Sequence, residues 1–442
     1  MLAMTKRRNR ERSVDRKSNT MGMTIAEKIL ARAAGKEKVV AGEYVDCKVD
    51  GVVALQGFVE THNNAVAAGL PNGLPKIWNP AKFFMMVEHH QPAANLKIAM
   101  RGVKLRELAD RYRIQNFYDT TCGIAHQMMV DKGHALPGQL VIGCDSHTIM
   151  SGALNCASTG IGETDLAYAA TFGELWFRVP ETIKVEIVGT MPSWLTGKDI
   201  MLYLAGKYGE DFALYRSIEF VGETVKQLSM DNRFTMADHG IEVGAKFALF
   251  EIDEVAQAFL DKTAKLPYKP VFADEDAIYC DHIVVDVTNM APQIAAPHSF
   301  SNVLPIGDLT GVRIDQACVG SCANGRFEDI EVAAKILKGR KVSRGVRLLV
   351  SPASWEIYKQ CLDAGIPQIV IEAGGQFLNP GCGVCGSKGA YLAPGEVCIT
   401  ATTRNYAGRM GSTDASIYLG SPATVTWSAV MGGVADPRDV LN

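Results

Sequence analysis

The sequence predicts an α/β fold built on largely parallel sheets, and three observations carry that prediction. Short apolar runs recur, each followed by a polar turn and then an amphipathic stretch, the alternation that βαβ units produce. Polar, chemistry-bearing residues sit just past several of those runs, at the edge where α/β sheets place their sites. With 442 residues, 47% of them hydrophobic and 21% charged, the chain has an ordinary globular composition and the length of two or three domains.

The elements follow in order. Residues 1–20 hold Lys6, Arg7, Arg8, Arg10, Arg12, Arg16 and Lys17 with few apolar groups, which predicts a disordered basic tail and a natural start at Met21 or Met23. This stretch lacks the apolar core of a secretory signal. Thr24 with Glu27 three residues on predicts a capped helix from Ile25. A strand is expected over Gln139–Gly143, running into Cys144-Asp145-Ser146-His147-Thr148. A helix with Glu163 and Asp165 near its start is expected to reach Leu175. Residues 181–290 are mixed and read as a separate layer. In the last third, strands are expected over Val312–Gly320, Val346–Val350, Pro367–Ile371 and Val397–Ala401. Helices are expected over Phe327–Leu337 and Trp355–Ala364.

Composition excludes several classes. A net charge of −3 argues against a nucleic-acid footprint. The chain has no apolar run of about 18 residues, so no transmembrane helix is expected. Eleven cysteines in so long a chain read as a reduced, cytoplasmic set with a few ligands among them. Cys47, Cys156, Cys361 and Cys398 sit in apolar runs and read as core.

Three cysteines stand apart. Cys322 lies in Gly320-Ser321-Cys322-Ala323-Asn324-Gly325-Arg326, and Cys382 and Cys385 lie in Gly381-Cys382-Gly383-Val384-Cys385-Gly386. Three thiolates can hold three corners of a cubane iron–sulfur cluster, and the glycines let backbone approach it. Redox, zinc and structural roles stay open on spacing alone, although zinc generally takes four protein ligands and this chain has no second CxxC. The nine histidines include Glu88-His89, Asp145-Ser146-His147 and His126, and a carboxylate beside an imidazole suits proton transfer near neutral pH. Arg404 and Arg409, in Arg404-Asn405-Tyr406-Ala407-Gly408-Arg409, follow an apolar run and offer forks for carboxylates.

Together, Asp145-Ser146-His147-Thr148, the Cys322 segment through Asp329, the Gly-Cys-Gly-X-Cys-Gly loop and the Arg404–Arg409 segment resemble the aconitase superfamily. Within it they look like the 3-isopropylmalate dehydratase/homoaconitase large-subunit family. Met21 to Leu30 and Pro297-His298-Ser299-Phe300-Ser301-Asn302-Val303 resemble its archaeal-type branch. The resemblance implies three α/β domains, expected here at 21–180, 181–290 and 291–442, around a central [4Fe-4S] cluster with one open iron. It implies that the swivel domain is absent from this chain, which ends at Asn442, and comes as a small subunit carrying a serine base, in a heterodimer or heterotetramer. The implied reaction is dehydration and rehydration of a hydroxy di- or tricarboxylic acid.

Roles follow residue by residue from that resemblance. Cys322, Cys382 and Cys385 match the cluster ligands. His89 matches the acid for the leaving hydroxyl, with Glu88 as its partner. Asp145 and His126 match a second pair, and His147 a third histidine, paired with Glu242. Ser146, Arg404 and Arg409 match substrate-binding positions. The chain departs from the family pattern at Glu88 (usually Asp), Asp238 (usually Asn) and Thr403 (usually Asn). These departures open the substrate to homocitrate or a methylated malate as well as 3-isopropylmalate. Two other readings are an RNA-binding relative and a catalytically degenerate one.

Overall fold

The computed structural model describes residues 22–89, 92–386 and 389–441. The expected basic tail over 1–20 lies outside the described residues. The first helix, Ile25–Ala34, begins at Thr24 with the predicted capping box, since Thr24 and Glu27 satisfy each other's backbone N–H groups.

Three sheets carry the fold. The first has five parallel strands, in spatial order Asn116–Tyr118, Phe83–Met86, Gly51–Ala54, Leu140–Gly143 and Ala157–Gly160. The second has four parallel strands, Phe247–Phe250, Ser217–Val221, Thr182–Val188 and Asp281–Asp286. The third runs Val303–Pro305, Gln293–Ala295, Ser416–Leu419, Val397–Thr400, Gln316–Gly320, Arg347–Ser351 and Gln376–Phe377. Its first two strands are antiparallel additions to a parallel set. A short antiparallel ribbon joins Tyr44–Lys48 to Glu174–Arg178.

Strands such as Phe83–Met86, Leu140–Gly143 and Phe247–Phe250 are buried at every position, as parallel strands covered on both faces require. One apolar core is continuous from Val53 and Met150 through Ile183 and Phe234 to Val319 and Val425, so all three sheets share an interior. Glu219, on a central strand of the second sheet, is 1% exposed. It accepts hydrogen bonds from Ile25 N and from Tyr279 Oη, each at 2.7 Å, and so ties the first helix down. Among the described residues, no helix is long and apolar enough to cross a membrane.

Several expected elements differ. Pro367–Ile371 is not a strand: a helix spans Ile366–Glu372, with Pro367 in its first turn and Ile366 and Val370 buried four residues apart on one face. The strand at this place is the short Gln376–Phe377. The helix from Glu163 stops at Phe172, not Leu175, because Gly173 takes the left-handed conformation that caps it (φ 76°), and Leu175 belongs to a strand. The strand expected from Val312 begins only at Gln316. Helix Phe327–Leu337 has the expected bounds.

Candidate active site around three buried cysteines

The site forms where the carboxyl ends of the parallel strands converge. Strand Gln316–Gly320 delivers Cys322 through a tight turn. Gly320 has φ 152°, and a Cβ there would stand 2.6 Å from Ser351 O, so only glycine fits. Arg326, 1% exposed, fastens the turn by donating to Cys322 O (2.5 Å), Ala323 O (2.9 Å) and Gln127 Oε1 (3.1 Å). The loop holding Cys382 and Cys385 leaves strand Gln376–Phe377. It is pinned by Gly381 N donating to Pro352 O (3.1 Å) and Ser351 Oγ donating to Asn379 O (3.0 Å).

All three thiols are buried, and none of the chain's cysteines is in a disulfide. Burial pushes the Cys322 thiol well up, and negative charge from Asp238, Cys382 and Cys385 adds to the rise, so the sulfurs are close enough to repel. Burial also acts on Cys385, but there Arg409 wins. The guanidinium Nη2 donates to Cys385 Sγ at 3.1 Å, Thr403 Oγ1 lies 3.3 Å from the same sulfur, and the thiol is brought down to about 7. A converging set of buried thiols, one drawn toward its thiolate by an arginine, fits a group that binds iron through sulfur. Two further sets could hold metal, each with its ligand atoms within 4.8 Å of one another: Glu88, His89 and Cys382, and His126, Asp238 and Cys322.

Asp145 is the hub of the acid–base groups. It follows strand Leu140–Gly143 and caps the 3-10 turn Ser146–Leu154 by accepting from His147 N at 2.8 Å. Its carboxylate faces three imidazoles: His89 Nε2 at 3.4 Å, His147 Nδ1 at 3.5 Å and His126 Nδ1 at 3.8 Å. Burial would raise Asp145, but hydrogen bonds from His147 and His89 and the charge of the histidines hold it well below the usual carboxylate range. Buried Glu88, past strand Phe83–Met86, pairs with His89 Nδ1.

His147 bridges Asp145 to Glu242, whose Oε1 lies 3.1 Å from Nε2. Burial alone would lower His147; Asp238, Asp145 and Glu242 overcome it and push it up to about 10. His126 has no comparable partner, and burial lowers it. Glu242 also accepts from Arg404 Nε, at 2.8 and 3.1 Å, and Arg404 Nη2 donates to Ser146 Oγ at 3.0 Å. A cavity of about 280 Å³ opens beside His89, lined by Leu55, Gln56, Arg101, Cys144, Ile161 and Glu163.

The structure thus brings Glu88, His89, His126, Asp145, Ser146, His147, Glu242, Cys322, Cys382, Cys385, Arg404 and Arg409 into one region. Arg409 is placed against Cys385 rather than beside Arg404's carboxylate partner. Sequence reasoning missed Lys198, which is fully buried and donates to Ala401 O (3.2 Å), to Thr402 O (2.5 Å) and toward His239 Nε2 (3.1 Å). Burial brings its amine down to about 8. The capping box Thr196…Asp199 that opens its helix was the available signal.

This fold and site define a class. The sequence matches the profile described as "Aconitase family (aconitate hydratase)" over residues 49–311 and 307–432, and the chain belongs to that family, whose members are iron–sulfur hydro-lyases. Among its relatives, the 3-isopropylmalate dehydratase large subunit 1 of Methanopyrus kandleri is 40% identical over 430 residues, 95% of this chain and 100% of that protein. The 3-isopropylmalate dehydratase large subunit of Caldanaerobacter subterraneus is 42% identical over 422 residues, again 95% and 100%. That of Caldicellulosiruptor saccharolyticus is 42% identical over 421 residues, 95% and 97%. A solved structure, Thermococcus kodakaraensis aconitase X in its holo form, overlaps 88% of this chain and 93% of that one, at 12% identity and a TM-score of 0.48.

Proposed function

We propose that this chain is the large, catalytic subunit of a cytoplasmic 3-isopropylmalate dehydratase, working with a separate small subunit and a [4Fe-4S] cluster. The observation that supports it most is the convergence of three buried thiols with the Asp145–histidine hub and the Glu242–Arg404 pair. The near-full-length likeness to 3-isopropylmalate dehydratase large subunits supports the substrate and the partner. The absence of disulfides among eleven cysteines fits a reducing compartment.

Cys322, Cys382 and Cys385 would hold the cluster. When bound, it supplies an open iron that polarises a substrate C–O bond. Arg409 and Thr403 lower the Cys385 thiol toward its thiolate form. His89 carries a proton at Nε2, steadied by Asp145, while Glu88 on Nδ1 fixes the ring; this proton goes to the departing hydroxyl. Arg404, aligned by Glu242 and Ser146, binds a substrate carboxylate with its planar fork. Burial of the three thiols keeps water from the sulfurs that would hold the cluster.

A second reading, a more polar hydroxy acid, is favoured by Gln56, Arg101 and Glu163 in the cavity beside His89. A panel decides: the chain is reconstituted anaerobically with iron, sulfide and a small subunit and offered 3-isopropylmalate, homocitrate and methylated malates. Fastest turnover of 3-isopropylmalate supports the first reading. Preference for another acid supports the second.

A further inference from the structure

Lys198 is 0% exposed, and a buried ammonium is costly unless each of its three N–H groups finds an acceptor. Lys198 has three: Ala401 O at 3.2 Å, Thr402 O at 2.5 Å and His239 Nε2 at 3.1 Å. His239 is set up as the acceptor. Its Nδ1 donates to Thr235 O at 2.8 Å, which leaves the lone pair on Nε2. Burial and the Lys198 charge hold the ring neutral, and Phe300 stacks on it with centroids 5.4 Å apart.

What Lys198 holds is the start of the segment that carries two site residues. The ladder of strand Val397–Thr400 ends at Thr400. Beyond it the Ala401 and Thr402 carbonyls take their hydrogen bonds from Lys198. Thr403 and Arg404 come next: Thr403 Oγ1 lies 3.3 Å from Cys385 Sγ, and Arg404 donates to Glu242 and Ser146. Buried Asn405 pins the far side by donating to Ala296 O (2.8 Å) and Ser299 O (3.1 Å). Arg404 therefore leaves the backbone between two buried clamps. Lys198 is itself fixed. It stands in the first turn of helix Gly197–Tyr208, where Asp199 accepts from Thr196 N (3.0 Å) and Gln293 N (2.9 Å).

We propose that Lys198 is a positioning residue for substrate binding: through the Ala401 and Thr402 carbonyls it sets the direction in which Arg404 presents its fork to a substrate carboxylate. This rests on the reading of Arg404 as the carboxylate-binding arginine of a dehydratase. A guanidinium meets a carboxylate through two parallel N–H bonds only when the two are aligned, so a backbone shift on the order of 1 Å weakens the pair.

The test uses the full-length chain, reconstituted anaerobically with ferrous iron, sulfide and a small subunit. Lys198→Met keeps the side-chain length and removes all three donors. It is made alone and together with Arg404→Lys, and iron and sulfide are counted in each protein. Affinity is read by calorimetry with isopropylsuccinate, which carries the two carboxylates of 3-isopropylmalate and no hydroxyl. KM and kcat are read with 3-isopropylmalate. Lys198→Met should load as much iron and sulfide as the wild type. It should bind isopropylsuccinate on the order of ten-fold more weakly and raise KM by a similar factor, with kcat changed by less than about two-fold. In the Arg404→Lys background the same substitution should weaken binding by less than about two-fold, because the residue it acts through is already altered. A loss of about ten-fold in both backgrounds, no loss in either, or a loss confined to kcat would overturn the assignment. If Lys198→Met does not load, Lys198→Gln, which keeps a donor, goes through the same cycle; if that also fails to load, Lys198 serves folding and the assignment falls. A wild type that turns over no hydroxy acid removes the dehydratase reading and this one with it. A working wild type whose variants lose affinity additively removes only the role of Lys198.

Discussion

Replacing Glu219 with glutamine should change how the stability of this chain responds to pH. Glu219 is 1% exposed on a central strand and accepts from Ile25 N and Tyr279 Oη. Burial is the dominant influence and pushes its carboxyl up from 4.5 to about 7, although the two hydrogen bonds pull the other way. A rise of about 2.5 pH units is worth about 3 kcal/mol at 1.36 kcal/mol per unit. The sign follows from proton counting. Between the two values the folded chain holds a proton that the unfolded chain has released, so stability falls as pH rises. The favourable contribution is complete below 4.5 and gone once pH passes about 7. Glutamine keeps an oxygen for Ile25 N and turns an N–H toward Tyr279, and it does not titrate. Urea unfolding of both proteins at about pH 4.5 and about pH 8 should show the difference between them moving toward the variant by about 3 kcal/mol. A difference that is the same at both pH values refutes the reasoning.

Three further outcomes are expected. Glu242→Gln deprives Arg404 and His147 of their shared anion. It should lower kcat/KM on the order of 100-fold with iron content unchanged, as measured by product formation and metal analysis. Cys385→Ser removes the thiol that Arg409 and Thr403 prepare, and the reconstituted protein should lose the visible absorption of an iron–sulfur cluster. Gly320→Ala puts a Cβ 2.6 Å from Ser351 O at φ 152° and should cost about 2 kcal/mol or more, read as a lower melting temperature.

Where local signals agreed, the sequence was a good guide. Phe327–Leu337 is bounded by a capping box, with Asp329 reaching back to Arg326 N, and is periodic throughout, so both ends were legible. Pro367–Ile371 was misread because a short apolar run fits either period, and its proline opens a helix rather than a strand. Cysteines and histidines just past strand ends were visible as candidates because parallel topology gathers such positions. What stayed hidden depended on segments distant in the chain. Lys198 reaches carbonyls 203 and 204 residues away, and Glu88, read as the partner of His89, shares that ring with Asp145. That Asp145 serves three imidazoles at once also needed the folded chain.

The most direct measurement of the central claim is turnover of 3-isopropylmalate by the anaerobically reconstituted large subunit combined with a small subunit, with iron and sulfide counted in the same sample. The account predicts bound iron and sulfide and conversion of the hydroxy acid to its unsaturated product. A loaded cluster that dehydrates no hydroxy acid on the panel would contradict it.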